Sequence, residues 1–122
     1  MSAAWPTPYY ACIFTNQRTD SGADIYDMMA TEMVALAAEQ PGFLGVESVR
    51  DAGGLGITVS YWESLEALHS WGRQADHKKV QEMGRAEFYS WFQLRIAEVT
   101  QSRQFGLAGL DAELSPPDAA GD

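Results

Sequence analysis

The hydrophobic pattern along the chain switches between two periods, and the switches mark the elements. Tyr9 to Asn16 is a short run, apolar on both faces, which predicts a buried strand. Thr19-Asp20-Ser21-Gly22 predicts a turn that can also cap a helix. Tyr26, Met29, Met33, Leu36 and Ala37 then recur at helical spacing as far as Gln40, and Pro41-Gly42 stops the helix. Phe43 to Arg50 reads as a strand, and Asp51-Ala52-Gly53-Gly54 as a hairpin turn. Leu55 to Trp62, with β-branched Ile57, Thr58 and Val59, is the third strand. Ser64 opens a second helix whose Leu65, Leu68, Trp71 and Ala75 share a face. Asp76 is placed to cap a third, short helix from His77 towards Arg85 or Phe88. Tyr89 to Val99 is the last strand, with Phe92, Leu94 and Ile96 on one face.

The order β-α-β-β-α-(α)-β predicts an α+β, ferredoxin-like split βαβ fold, with a four-stranded antiparallel sheet and helices on one face. The strands are nevertheless apolar on both faces. A second copy of the chain, sheet against sheet, is the simplest cover for the other face, so a homodimer is expected. Residues 1–8, with Pro6 and Pro8, read as a flexible leader, residues 9–105 as the folded domain and residues 106–122 as a largely flexible tail.

Charge narrows the partners. The 122 residues hold 8 Lys and Arg against 17 Asp and Glu, a net −9. The tail contributes Asp111, Glu113, Asp118 and Asp122 with no basic residue. This balance argues against nucleic acid and anionic membrane, which select a basic footprint. No apolar run is long enough to cross a membrane, and the first residues lack the basic and apolar regions of a signal peptide. A single cysteine, Cys12, allows no disulfide within the chain and reads as a small buried hydrophobe. A cytoplasmic location is expected. No metal-ligand spacing, phosphate-binding glycine loop or nucleophile elbow is present, so neither metal, flavin nor nicotinamide is expected.

The candidate chemistry is aromatic and polar. Trp62, Trp71 and Trp91 supply flat walls suited to a planar aromatic ligand, with core packing as the alternative. Gly72 beside Trp71 lets another group approach closely. Asn16, Tyr89 and Arg85 could stabilise an oxyanion, although Asn16 could simply end a strand and Arg85 could pair with Glu82 or Glu87. His77 could serve as a general base or a haem ligand, or bond to Asp76 as a helix-start residue. His69 is placed on the surface. Glu47 in mid-strand is expected to pair with Arg95.

Three segments carry a family resemblance: Gln40-Pro41-Gly42-Phe43-Leu44-Gly45-Val46-Glu47-Ser48, Ile57-Thr58-Val59-Ser60-Tyr61-Trp62-Glu63-Ser64, and His77 through Gly84-Arg85 to Tyr89. Together they resemble the antibiotic biosynthesis monooxygenase family, in its small stand-alone bacterial branch. The resemblance implies a dimeric α+β barrel with a pocket between sheet and helices in each subunit. It also implies oxygenation of polycyclic phenols and anthrones without a cofactor, or haem degradation; a non-catalytic small-molecule-binding or structural module is the alternative. The cofactor-free enzymes are similar to this chain at Trp62. Their pocket asparagine falls on Thr58 and their helix tyrosine on Leu68. Asn16 and Trp71 match the asparagine and tryptophan of the haem-degrading enzymes. Their histidine ligand falls near Gln81, one turn beyond His77, so stable haem ligation is not expected. The candidate site is therefore catalytic His77, Asn16 and Trp62, with Trp71, Thr58, Tyr89 and Arg85 holding a small aromatic molecule.

Overall fold

A computed structural model describes residues 5–83 and 88–106, with the backbone alone over 77–83. The chain runs β1 (Tyr9–Arg18), α1 (Ala23–Ala38), β2 (Phe43–Arg50), β3 (Leu55–Trp62), α2 (Leu65–Met83) and β4 (Tyr89–Val99). The four strands form one antiparallel sheet in the order β2-β3-β1-β4. This is the ferredoxin-like arrangement that the hydrophobic pattern predicts.

Local chemistry sets the boundaries. In the β2–β3 turn, Asp51 uses its carboxylate to accept from the Leu55 amide at 2.9 Å, and its carbonyl accepts from Gly54. Gly54 sits at φ +97°, a left-handed conformation that glycine adopts without penalty. Ser64 caps α2 by accepting from the Ala67 amide at 3.0 Å. α1 begins after Gly22 with no side-chain cap, because Thr19 Oγ1 instead accepts from Ser21 N.

Three expectations are corrected. α2 is one continuous helix, so Asp76 caps nothing; Gln74 to Lys79 contains neither Gly nor Pro, and these residues sustain a helix. β1 runs past Asn16 to Arg18, held there by the Arg18 amide to Gly54 O bond at 2.9 Å. Glu47 and Arg95 lie on opposite edge strands and cannot pair within the sheet. Tyr61 donates to Glu47 at 2.9 Å, and Arg95 donates to Gln93 at 2.7 Å.

The register sorts the sheet faces. Tyr10, Cys12, Phe14 and Asn16 on β1 stand opposite Trp62, Ser60, Thr58 and Gly56 on β3, and these positions face the helices. The other face carries Ile13, Val59, Ile57, Leu55, Val49 and Trp91. Val49 is 72% exposed, and Trp91, Leu55 and Ile57 are also exposed, so Trp91 is no pocket wall. Trp5 packs edge-on against Tyr9 on this face, with ring centres 5.2 Å apart.

Between helices and sheet the core falls into two clusters. One gathers Trp62, Leu68, Trp71, Ala75 and Ala37. The other joins Met29 and Phe88. Met33 packs against both.

Candidate functional site

A cavity of about 330 Å³ lies on the helix side of the sheet. Its floor is Cys12 and Phe14 of β1 with Thr58 and Ser60 of β3. Met29, Met33 and Ala37 of α1 form one wall, and Trp71, Gly72 and Ala75 of α2 the other. Helix α1 supplies its side because residues four apart share a face. Tyr26 and Tyr89 close one end. The walls are mostly apolar, and the polar groups are few and placed, as small-molecule sites require.

The tryptophans are layered. Trp71 lines the cavity, and Trp62 stacks behind it with ring centres 5.9 Å apart and planes 22° from parallel. Trp62 is fully buried, does not line the cavity, and donates its indole N–H to Ser60 Oγ at 2.9 Å. Thr58 does line it, and its hydroxyl pairs with that of Ser48 at 2.8 Å. Cys12 is only half-buried, because the cavity lies above it; the expected buried hydrophobe is a floor residue instead.

The Tyr26–Tyr89 end is the polar end. Arg50 donates to Tyr26 Oη at 2.9 Å and to Asn16 Oδ1 at 2.8 Å. Tyr89 Oη stands 3.5 Å from Tyr26 Oη, a weak contact at that length. Asn16 is fully buried, two residues before the end of β1, and its Nδ2 has no hydrogen-bond partner among the described residues. Burial pushes the Tyr89 phenol well above its ordinary range, and the hydrogen bond and charge of Tyr26 add to this. Tyr89 therefore stays protonated and can donate.

Asn16 and Tyr89 thus share one network, with Tyr89 in the cavity wall beside Thr58 and Trp71. Arg85 and the side chain of His77 lie outside the described residues; the His77 backbone belongs to α2. Arg50 and Tyr26 were not singled out by the sequence. One signal for Arg50 existed: it pairs in register with Gly56, and a Cβ on Gly56 would lie 2.7 Å from its guanidinium. Glycine on the neighbouring strand makes room for the arginine head group. Among the described residues the cavity lining holds no histidine and one carboxylate, Asp76, and no cluster of His, Cys, Asp and Glu could hold a metal ion.

The sequence model for antibiotic biosynthesis monooxygenases matches residues 18–83, which include α1, the β2–β3 hairpin and α2. The chain belongs to the antibiotic biosynthesis monooxygenase family. The uncharacterised protein YqjZ of Bacillus subtilis is 47% identical over 98 residues, covering 80% of this chain and 85% of that protein. Two solved structures share the family fold at low identity. A variant of SnoaB, a cofactor-independent oxygenase from Streptomyces nogalater, superimposes with a TM-score of 0.61 at 12% identity, covering 80% of this chain and 95% of that one. A protein of unknown function from Nitrosomonas europaea gives 0.64 at 9% identity, covering 81% and 96%. Family membership supports a monooxygenase-like role. No helix among the described residues is long and apolar enough to cross a membrane.

Proposed function

We propose that this family member oxygenates a planar aromatic small molecule, held between Trp71 and the sheet, without flavin, nicotinamide, metal or haem. The observation that carries the reading is the cavity: apolar walls from α1 and α2, an aromatic face at Trp71, and phenol donors at one end. An apolar cavity of about 150 Å³ takes one benzene ring, so 330 Å³ suits a body of about two or three rings. A space of that size suits a body smaller than a porphyrin.

The chemistry needs no cofactor if the substrate is its own reductant. A ring methylene next to a carbonyl loses a proton, and the resulting enolate passes electrons to O₂. One oxygen atom becomes a new carbonyl on that carbon, and the other leaves as water with the two methylene hydrogens. Tyr89, kept protonated by burial, donates to the enolate oxygen, and Tyr26 supports it. Thr58 and Ser60 offer hydroxyls along the floor. Trp62 holds Trp71 in place from behind. Asn16 acts through Arg50, and His77 is proposed as the base.

The protein is proposed to act as a homodimer through the outer sheet face. Exposed Val49, Leu55, Ile57 and Trp91 on one sheet face form the kind of apolar patch that marks an interface.

An oxygen electrode tests the chemistry with purified protein and a panel of two- and three-ring hydroxylated ketones. The expected result is one O₂ consumed per substrate converted, with no added cofactor. Saturable binding without oxygen uptake would overturn catalysis in favour of a binding module, for which the scarcity of bases among the described lining residues speaks.

A further inference from the structure

Resting on the proposed dimer, we infer that Glu47 of each copy pairs with Arg95 of the other, and that these two reciprocal ion pairs fix how the outer sheet faces meet. The inference starts from one cross-strand row. Glu47 stands opposite Val59, Val59 opposite Ile13, and Ile13 opposite Arg95. The row therefore reads acid, apolar, apolar, base across β2, β3, β1 and β4, on the face turned away from the helices.

Within one chain the two charges cannot meet. Three strand spacings keep their backbones about 14 Å apart. Each side chain is held by a neutral neighbour: Tyr61 donates to the Glu47 carboxylate at 2.9 Å, and Arg95 donates to Gln93 Oε1 at 2.7 Å. Arg95 is exposed, and Val59 and Ile13 between the two charges are half-buried.

A second copy brings the charges together, and the charges choose its orientation. Sheets stacked face to face lie about 10 Å apart, a gap that side chains from both fill. With the two-fold axis running along the strands, between β3 and β1, rotation reverses the row. Val59 then meets the partner's Ile13, and Glu47 meets the partner's Arg95, once at each end. With the axis running across the strands, along the row, Glu47 would face Glu47 and Arg95 would face Arg95. Like charges brought together in an interface cost free energy, whereas opposite charges steer association and fix register. Two chains of net charge −9 repel at a distance, so this local complementarity matters more. The same rotation lays the partner's Trp91 beside exposed Val49, which gives both apolar side chains a cover.

Charge reversal in the full chain, followed by sedimentation equilibrium, tests the pairing. Arg95→Glu is expected to dimerise about ten-fold or more weakly than the parent, and Arg95→Lys to stay within about three-fold of it. Glu47→Lys should weaken the dimer as Arg95→Glu does. Each reversal sets like charges against each other in its own homodimer, yet a mixture of Glu47→Lys with Arg95→Glu has opposite charges at both pairs. Native mass spectrometry of that mixture, with one variant isotopically labelled, should find heterodimer well above the statistical half. Both reversals in one chain should regain the parent's dimerisation. Arg95→Glu lies at an exposed site, so it carries the test if Glu47→Lys fails to fold. A parental dimer that Arg95→Glu leaves unchanged would overturn the pairing and leave the dimer standing. A parent that is monomeric at every concentration would overturn the dimer and the pairing with it.

Discussion

Gly72 allows the cavity to be closed without disturbing what surrounds it. It lies inside α2 and lines the cavity, and a Cβ built there meets nothing within 4 Å. Its φ lies outside the left-handed region, so an L side chain fits the backbone. Alanine in place of a helix-interior glycine stabilises by about 0.5–1 kcal/mol, because the unfolded chain loses freedom. Gly72→Ala is thus expected to raise the melting temperature by about 2–6 °C for a domain of this size. Gly72→Leu keeps the gain in helix propensity and adds a branched side chain to the space a two-ring ligand needs. It is expected to be at least as stable as the parent, yet to bind 2-naphthoate and its amide more than ten-fold more weakly. Thermal melts measure the first effect and calorimetry the second. A loss of about 2 kcal/mol or more in Gly72→Leu would indicate overpacking and refute the open space. A stable Gly72→Leu that binds as the parent does would place the ligand elsewhere.

Further outcomes follow from the packing. Ser60→Ala leaves the buried Trp62 indole N–H without its acceptor and should cost about 1–3 kcal/mol in urea unfolding, whereas Ser60→Thr should cost less. Gly42→Ala should be destabilising by more than about 1 kcal/mol, since φ is +86° and the new Cβ would meet Ala67 Cβ at 2.6 Å. Tyr89 holds its proton more tightly folded than unfolded, so its contribution is complete below about pH 10 and is lost as pH rises beyond it. Relative to Tyr89→Phe, the parent should therefore lose stability above pH 10, and parallel pH curves would contradict this. Ile57→Glu on the outer sheet face should convert the proposed dimer to a monomer in light scattering.

The fold was legible because turn chemistry and periodicity agree. The bounds of β2 and β3 follow from Pro41-Gly42, the Asp51–Gly54 turn and Ser64, whose backbone roles are local. The break at Asp76 was misplaced because aspartate caps a helix only where the backbone already leaves it, and nothing nearby forces it to. The site was half legible. Trp71, Thr58, Asn16 and Tyr89 carry signals in their residue type. Arg50 and Tyr26 meet from elements 24 residues apart, so only the fold reveals the pair. Trp62 looks like a ligand wall in sequence but lies one layer behind it, since stacking on Trp71 and bonding to Ser60 uses both its face and its N–H.

If the space between Trp71 and the sheet holds the ligand, a backbone amide NMR titration of the full chain with 2-naphthoate, repeated on Gly72→Leu, will locate it there. Saturable shifts should cluster at Trp71, Gly72, Ala75, Met33 and Thr58, at one ligand per chain, and disappear in the variant. Shifts confined to the outer sheet face around Ile57 and Trp91, or shifts at the cavity that persist in Gly72→Leu, would contradict it.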